Sequence, residues 1–310
     1  MLYSIQDSGE LDHMEQMNTP ESLKREQIRM AGIRLVKSGL VSRTWGNISC
    51  RLDEDFFLVT PSGREYEGLS AEDIVKVDHR DLSYAGMLKP SSESGLHRMI
   101  YQELPGVGAV IHTHQLWASA FAAAVEERYR LRSPHERFGA EIRIATYAPS
   151  GTEAMSSSAV AGLRASKGGA VLLRHHGAVS TGMDIEEAFT NAFELEQLLE
   201  QEFKTMYRNV EGEDFFYEGT QNPMTLRFSR LNIPMRPMLD DFAQIVGEVL
   251  PVGSASGITD AIISSIVEKN ALSYYVAALT GSIDPIPAKE ARRLRKEYIE
   301  YYSLLNQRNR

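Results

Sequence analysis

An α/β fold, with one sheet covered by helices, is what this sequence predicts. Three observations lead there. Short apolar runs of strand character alternate with longer stretches of helical periodicity as far as about residue 208. Clusters of Gly, Pro and Asp separate the two kinds of segment, as turns between short elements require. The chain has 310 residues, 43% hydrophobic and 24% charged, enough for one large domain with an addition. Interleaved strands and helices of this kind pack as layers around a shared core.

The elements follow in order. Residues 1–20 carry Asp7, Glu10, Asp12 and Glu15 with no apolar core, so they read as a flexible arm and not as a secretory signal. Leu23, Ile28, Ala31, Leu35 and Val36 recur at near-helical spacing and predict a helix over 21–40, with Gly39 near its end. Strand-like runs follow at 47–52, 56–60 and 74–77, separated by Asp53-Glu54-Asp55 and Pro61-Ser62-Gly63. Pro90-Ser91-Ser92-Glu93 opens a helix reaching residue 103. Then come a strand ending in two histidines, a helix over 116–125, a strand over 142–147, a helix over 153–166 and a last strand over 170–179. A long helix over 184–208 turns Ile185, Ala188, Phe189, Ala192, Leu195, Leu198 and Leu199 to a core. These elements make one domain over 21–208. Residues 209–238 are polar and contain Pro, reading as a linker or extended arm, and 239–310 read as a helical addition of three helices.

Composition excludes several classes. A net charge of -9 gives no basic footprint for nucleic acid. No apolar stretch approaches the ~20 residues of a membrane span. The single Cys50 cannot form an internal disulfide, which fits a reducing cytoplasm, and its place in a strand reads as packing.

The most informative segment is Val110-Ile111-His112-Thr113-His114. Side chains alternate along a strand, so His112 and His114 aim at one point. In Arg174-His175-His176-Gly177, at the end of another strand-like run, His176 can supply a third imidazole. Three imidazoles with an open position are the ligand set of a catalytic Zn²⁺ site, since structural sites are closed by four ligands. A single histidine on an apolar strand is ordinarily a hydrogen-bonded core residue; two on one face with a third nearby argue otherwise. His97 reads as a core or supporting residue, His175 should face away from His176, and His13 and His79 fall in segments expected to be exposed.

Three further segments offer anion-binding chemistry. Lys89-Pro90-Ser91-Ser92-Glu93 puts two hydroxyls at a helix N-terminus, where unpaired N–H groups attract anions. Gly46-Asn47-Ile48-Ser49 and Thr60-Pro61-Ser62-Gly63 each place small or hydroxyl residues in a turn. Each alone is a weak signal, and Ser91 or Ser92 alone would read as an N-cap.

Taken in order, these five segments resemble the class II aldolase/adducin family, in particular its fuculose-1-phosphate-aldolase-like branch, over roughly residues 21–208. The resemblance implies a three-layer α/β/α sandwich assembled as a homotetramer with active sites at subunit interfaces. It implies Zn²⁺, or another divalent ion such as Mn²⁺, held by His112, His114 and His176, the last chosen over His175 because the matching position precedes Gly. It assigns the substrate phosphate to Asn47, Ser62, Gly63, Ser91 and Ser92, and the catalytic acid/base to Glu93. The implied activity is metal-dependent retro-aldol cleavage of a phosphorylated ketose to dihydroxyacetone phosphate and an aldehyde, the metal stabilising the enediolate.

Two departures stand out. Where these aldolases carry a tyrosine as proton donor to the leaving aldehyde, this chain has Arg132, with Ser133 and His135 beside it. Tyr129 is nearby but unaligned. His135, Tyr274 or Tyr275 could substitute, although packing is the stronger reading of the tyrosines. The other departure is the length beyond residue 208, whose segment 288–296 reads as a solvated basic helix. Alternative activities on the same fold are a metal-dependent decarboxylase and a ribulose-phosphate 4-epimerase, the latter having Asp where this chain has Glu93. A non-catalytic adducin-like scaffold is disfavoured by the retained ligands.

Overall fold

The computed structural model describes residues 19–41, 45–212, 272–273, 275–280, 286–287, 289–290, 293 and 296. Helix α1 (Pro20–Lys37) is capped by Thr19, which accepts from the Ser22 N–H, with Pro20 at the first turn where its missing N–H costs nothing. Strands β1 (Gly46–Arg51), β2 (Phe56–Val59) and β3 (Val75–Asp78) form an antiparallel meander. Helix α2 (Ser94–Glu103), strand β4 (Ala109–Thr113) and helix α3 (Leu116–Ala124) follow. A hairpin of β5 (Arg128–His135) and β6 (Gly139–Ala145) leads to α4 (Glu153–Ala165), then to β7 (Ala170–Leu173), β8 (Gly177–Gly182) and α5 (Ile185–Glu211).

The eight strands make one sheet in the order β3-β2-β1-β4-β8-β7-β6-β5. All neighbours run antiparallel except β6 and β7. Period-two alternation sends residues to opposite cores. Ile48, Cys50, Leu58 and Ile111 face Ile28, Ala31 and Leu35 of α1 with Ala188 and Ala192 of α5. Phe57, Val59, Val110, Val171 and Val179 face Leu96 and Ile100 of α2 with Ala159, Val160 and Leu163 of α4. Helices thus cover both faces, an α/β/α sandwich. Among the described residues no helix is long and apolar enough to cross a membrane.

Several sequence expectations change. The run 170–179 is two strands, because the backbone reverses through Arg174-His175-His176 and pairs Leu173 with Gly177. His175 takes φ 58°, a left-handed conformation that side chains other than Gly seldom adopt. Strand β5 was not foreseen: only Tyr129 and Leu131 of its eight residues are buried, so its apolar alternation is too brief to register. His79, expected to be exposed, is buried against the rings of Phe57 and Tyr101.

The long helix α5 continues to Glu211, past the predicted start of the linker, and ends on Gly212 at φ 74°. Of the arm predicted over 1–20, residues 1–18 lie outside the described residues, while Thr19 and Pro20 belong to the start of α1; the rest of the linker and most of the addition also lie outside the described residues. The described residues of 272–280 are helical, and Tyr275 packs on Phe203 and Tyr207 of α5 as a core residue. Tyr274 lies outside the described residues, as does His13.

Candidate metal and carboxylate site

His112 is the next-to-last residue of β4, on the face toward α2, sharing it with Val110. His114 stands just past the strand, and His176 comes from the β7–β8 turn. One ligand nitrogen from each lies within 4.8 Å of the others. His112 and His176 are buried and their rings stack at 4.9 Å, while His114 is half-buried and leaves the cluster open on its side.

The donor set fits a divalent cation. Nδ1 of His112 donates to the carbonyl of Ala178 at 2.9 Å, which fixes its proton there and turns the Nε2 lone pair inward. Nε2 of His112 and of His114 are 3.0 Å apart, a separation that needs a proton or a cation between them. Ligands about 2.0–2.1 Å from a tetrahedral Zn²⁺ stand roughly 3.4 Å from each other. Two close approaches make the cluster possible. A Cβ on Gly46 would meet the His112 carbonyl oxygen at 2.7 Å, and one on Gly177 would meet that of Thr113 at 2.4 Å.

Glu93 is the residue before α2 and is buried beside the cluster. Its Oε1 lies 3.0 Å from Nε2 of His176 and its Oε2 3.3 Å from Nε2 of His112. Burial alone would raise this carboxyl. The imidazoles of His112, His176 and His114 outweigh that and hold it well below the usual carboxylate range. Asn47 Nδ2 donates to Oε2 at 2.8 Å and Ser150 Oγ donates to Oε1 at 2.9 Å.

The hydroxyl-bearing turns are brought together. Pro61 and Pro90 form an isolated bridge, the Ser62 N–H donates to the Lys89 carbonyl at 2.9 Å, and the Ser91 N–H donates to the Thr60 carbonyl at 3.0 Å. Ser92 is exposed there, Ser62 and Gly63 are half-buried, and Gly63 takes φ 69°. Ser91 is buried, and its Oγ accepts from the Glu93 N–H, tying the turns to the carboxylate. Asn47, expected with this group, has both ends of its amide committed elsewhere, to Glu93 and to His97.

The proposed stand-ins for the missing tyrosine have other partners. Tyr129 donates to Glu202 and packs on Phe121. The Arg132 N–H also points at Glu202, and His135 stacks on Phe138 and accepts from the Arg137 N–H. Sequence reasoning missed Ser150. Its signal is present, since Pro149-Ser150-Gly151 repeats the triplet Pro61-Ser62-Gly63.

The sequence profile described as Class II Aldolase and Adducin N-terminal domain matches residues 26–203. A 5-methylthioribulose-1-phosphate/5-deoxyribulose-1-phosphate aldolase of Rhodospirillum rubrum is 38% identical over 176 residues, 54% of this chain and 75% of its own. An L-ribulose-5-phosphate 4-epimerase of Salmonella paratyphi B is 39% identical over 102 residues, 32% of this chain and 44% of its own. Among solved structures, an L-fuculose 1-phosphate aldolase superposes with a TM-score of 0.55 at 26% identity, covering 68% of this chain and 97% of its own.

Proposed function

The chain belongs to the class II aldolase and adducin family and is an enzyme of its aldolase kind, and we propose that it cleaves a ketose 1-phosphate between C3 and C4. The products are dihydroxyacetone phosphate and an aldehyde, and condensation is the reverse. The observation that carries this reading is a single carboxylate, Glu93, buried against three convergent imidazoles and tied through Ser91 to a pair of hydroxyl-lined turns. The name of the Rhodospirillum relative supports a substrate of the 5-deoxy- or 5-methylthioribulose 1-phosphate class.

The residues divide the work. His112, His114 and His176 would hold Zn²⁺ or another divalent ion such as Mn²⁺, which when bound supplies Lewis-acid polarisation of the substrate carbonyl. Ser62, Gly63, Ser91 and Ser92 would take the phosphate. A remote anion held at a helix N-terminus orients C3 toward Glu93 and lowers the entropic part of the barrier. In condensation Glu93 removes a proton from C3 of dihydroxyacetone phosphate, and in cleavage it returns it. The half-buried His114 leaves the aldehyde side open, where a tetrameric partner would complete the wall.

The epimerase relative supports a second reading, but it matches a shorter part of this chain. One assay separates them. Metal-loaded protein with dihydroxyacetone phosphate and acetaldehyde or methylthioacetaldehyde should form a new C–C bond, whereas an epimerase would instead convert L-ribulose 5-phosphate. Glu93→Gln should keep its metal and lose at least about 100-fold in turnover. Full turnover in that variant would remove Glu93 from the chemistry.

A further inference from the structure

Between the sheet and α2 lies a strip of buried polar groups inside an otherwise apolar interface. Asn47 and Ser49 are two apart on β1 and share its face. Glu93, at the N-cap position of α2, is spaced by fours with His97 and Tyr101 inside the helix, so the three share one stripe. The two ladders interlock: Asn47 bonds Glu93 and His97, and Ser49 bonds His97 and Tyr101. His97 and Ser49 are 0% exposed, so these groups have no water to turn to.

The direction of each bond follows from the carboxylate end. A carboxylate only accepts, so the Asn47 Nδ2 faces Glu93 and its Oδ1 faces His97. The imidazole must then carry its proton on Nε2 to donate to that oxygen. Nδ1 is left bare and accepts from the Ser49 hydroxyl, whose oxygen accepts in turn from Tyr101 at 2.7 Å. Every donor points toward Glu93. Burial favours the neutral ring throughout, pushing His97 down to about 3.

We propose that His97 is a positioning residue for Glu93: it locks the Asn47 amide with Nδ2 toward the carboxylate, and so holds Glu93 in one orientation for proton exchange with substrate. This rests on the reading of Glu93 as the acid/base. The Asn47 amide cannot turn over on its own. Reversing it would require the imidazole, the serine and the tyrosine to invert with it in a dry interface. Oε1 is held separately, by the Ser150 hydroxyl at 2.9 Å and by Nε2 of His176 at 3.0 Å. The chain of bonds therefore holds the carboxylate in one orientation.

Two measurements test this. In metal-free protein with ¹⁵N-labelled histidine, long-range ¹H–¹⁵N correlation should find the His97 proton on Nε2; a proton on Nδ1 overturns the proposal. In metal-loaded protein, transfer of deuterium from D₂O into C3 of dihydroxyacetone phosphate reads the proton step without any aldehyde. His97→Phe fills the space without donating or accepting and should slow this exchange up to about 100-fold, as small misplacements of reacting groups do. Its KM and metal content should stay within about twofold, and His97→Gln, which restores a donor to Asn47, should recover most of the rate. Tyr101→Phe, which removes only the terminal hydroxyl, serves if His97→Phe does not fold. Unchanged exchange in a folded, metal-replete variant overturns the positioning role. No exchange in the wild type sinks the aldolase reading, and the positioning role with it.

Discussion

Acid should destabilise this protein partly through one residue, His97. Its folded-state value is about 3, against 6.5 for an unperturbed histidine, because burial excludes the charged ring. Between those values the unfolded chain binds a proton that the folded one does not, so stability rises with pH across the window and falls on acidification. The slope approaches about 1.4 kcal/mol per pH unit, and the loss from pH 8 to pH 5 comes to roughly 2 kcal/mol. His97→Gln removes that titration while leaving other groups in place. Urea unfolding of metal-free wild type and variant at pH 8 and pH 5 isolates the contribution as a difference of differences. The variant should lose roughly 2 kcal/mol less than the wild type. Equal losses in the two proteins would show that His97 is not held neutral, and the argument from burial would be wrong.

Other outcomes can be stated briefly. His112→Ala and His176→Ala should each abolish binding of about one divalent ion per chain by elemental analysis, and stoichiometric metal in either would dissolve the proposed site. Gly177→Ala places a Cβ 2.4 Å from the Thr113 carbonyl oxygen and should cost about 1–3 kcal/mol while weakening the metal. Gly95→Ala, with nothing within 4 Å of its added Cβ, is the matched control in α2 and should leave both properties intact. The Cys50 thiol is buried and pushed up to about 12 by desolvation, so a thiol reagent should modify it only at the rate of unfolding; prompt reaction with native protein would contradict that burial.

What the sequence disclosed depended on how local each signal was. Helices α1 and α4 and strands β1 and β2 fall within a few residues of their predicted bounds, because their periodicity and their capping or turn residues lie within one segment. The pairing of His112 with His114 was legible for the same reason, being a property of one strand. The 174–176 reversal was not, since an apolar run on both sides of Arg174-His175-His176 looks continuous and contains no Gly before position 177. Asn47 shows the other limit. Its partners, Glu93 and His97, lie 46 and 50 residues away and meet it only through the packing of α2 on the sheet, which no local pattern records.

The convergence of these groups is a matter of strand register. Strand β4 sits between β1 and β8, with Asn47 opposite His112 on one side and Val179 opposite it on the other. Shifting β4 by one residue would carry His112 from the α2 face to the α1 face and bring Ile111 to the site. The apolar core on the α1 side opposes such a slip, because it would bury the His112 imidazole among Ile28, Leu35 and Ile48. The end of the strand is pinned separately. Thr113 donates to Gln115, Gln115 donates to the Ala192 carbonyl of α5, and Glu196 of α5 accepts from the N–H groups of Trp117 and Ala118 at the start of α3. His114 lies inside that clamp, one residue beyond the ladder, and so stays in line with His112 while remaining half-exposed. Strands scattered over the sequence become neighbours at the sheet's centre, and the chemistry sits where the surrounding core leaves the backbone least freedom to move.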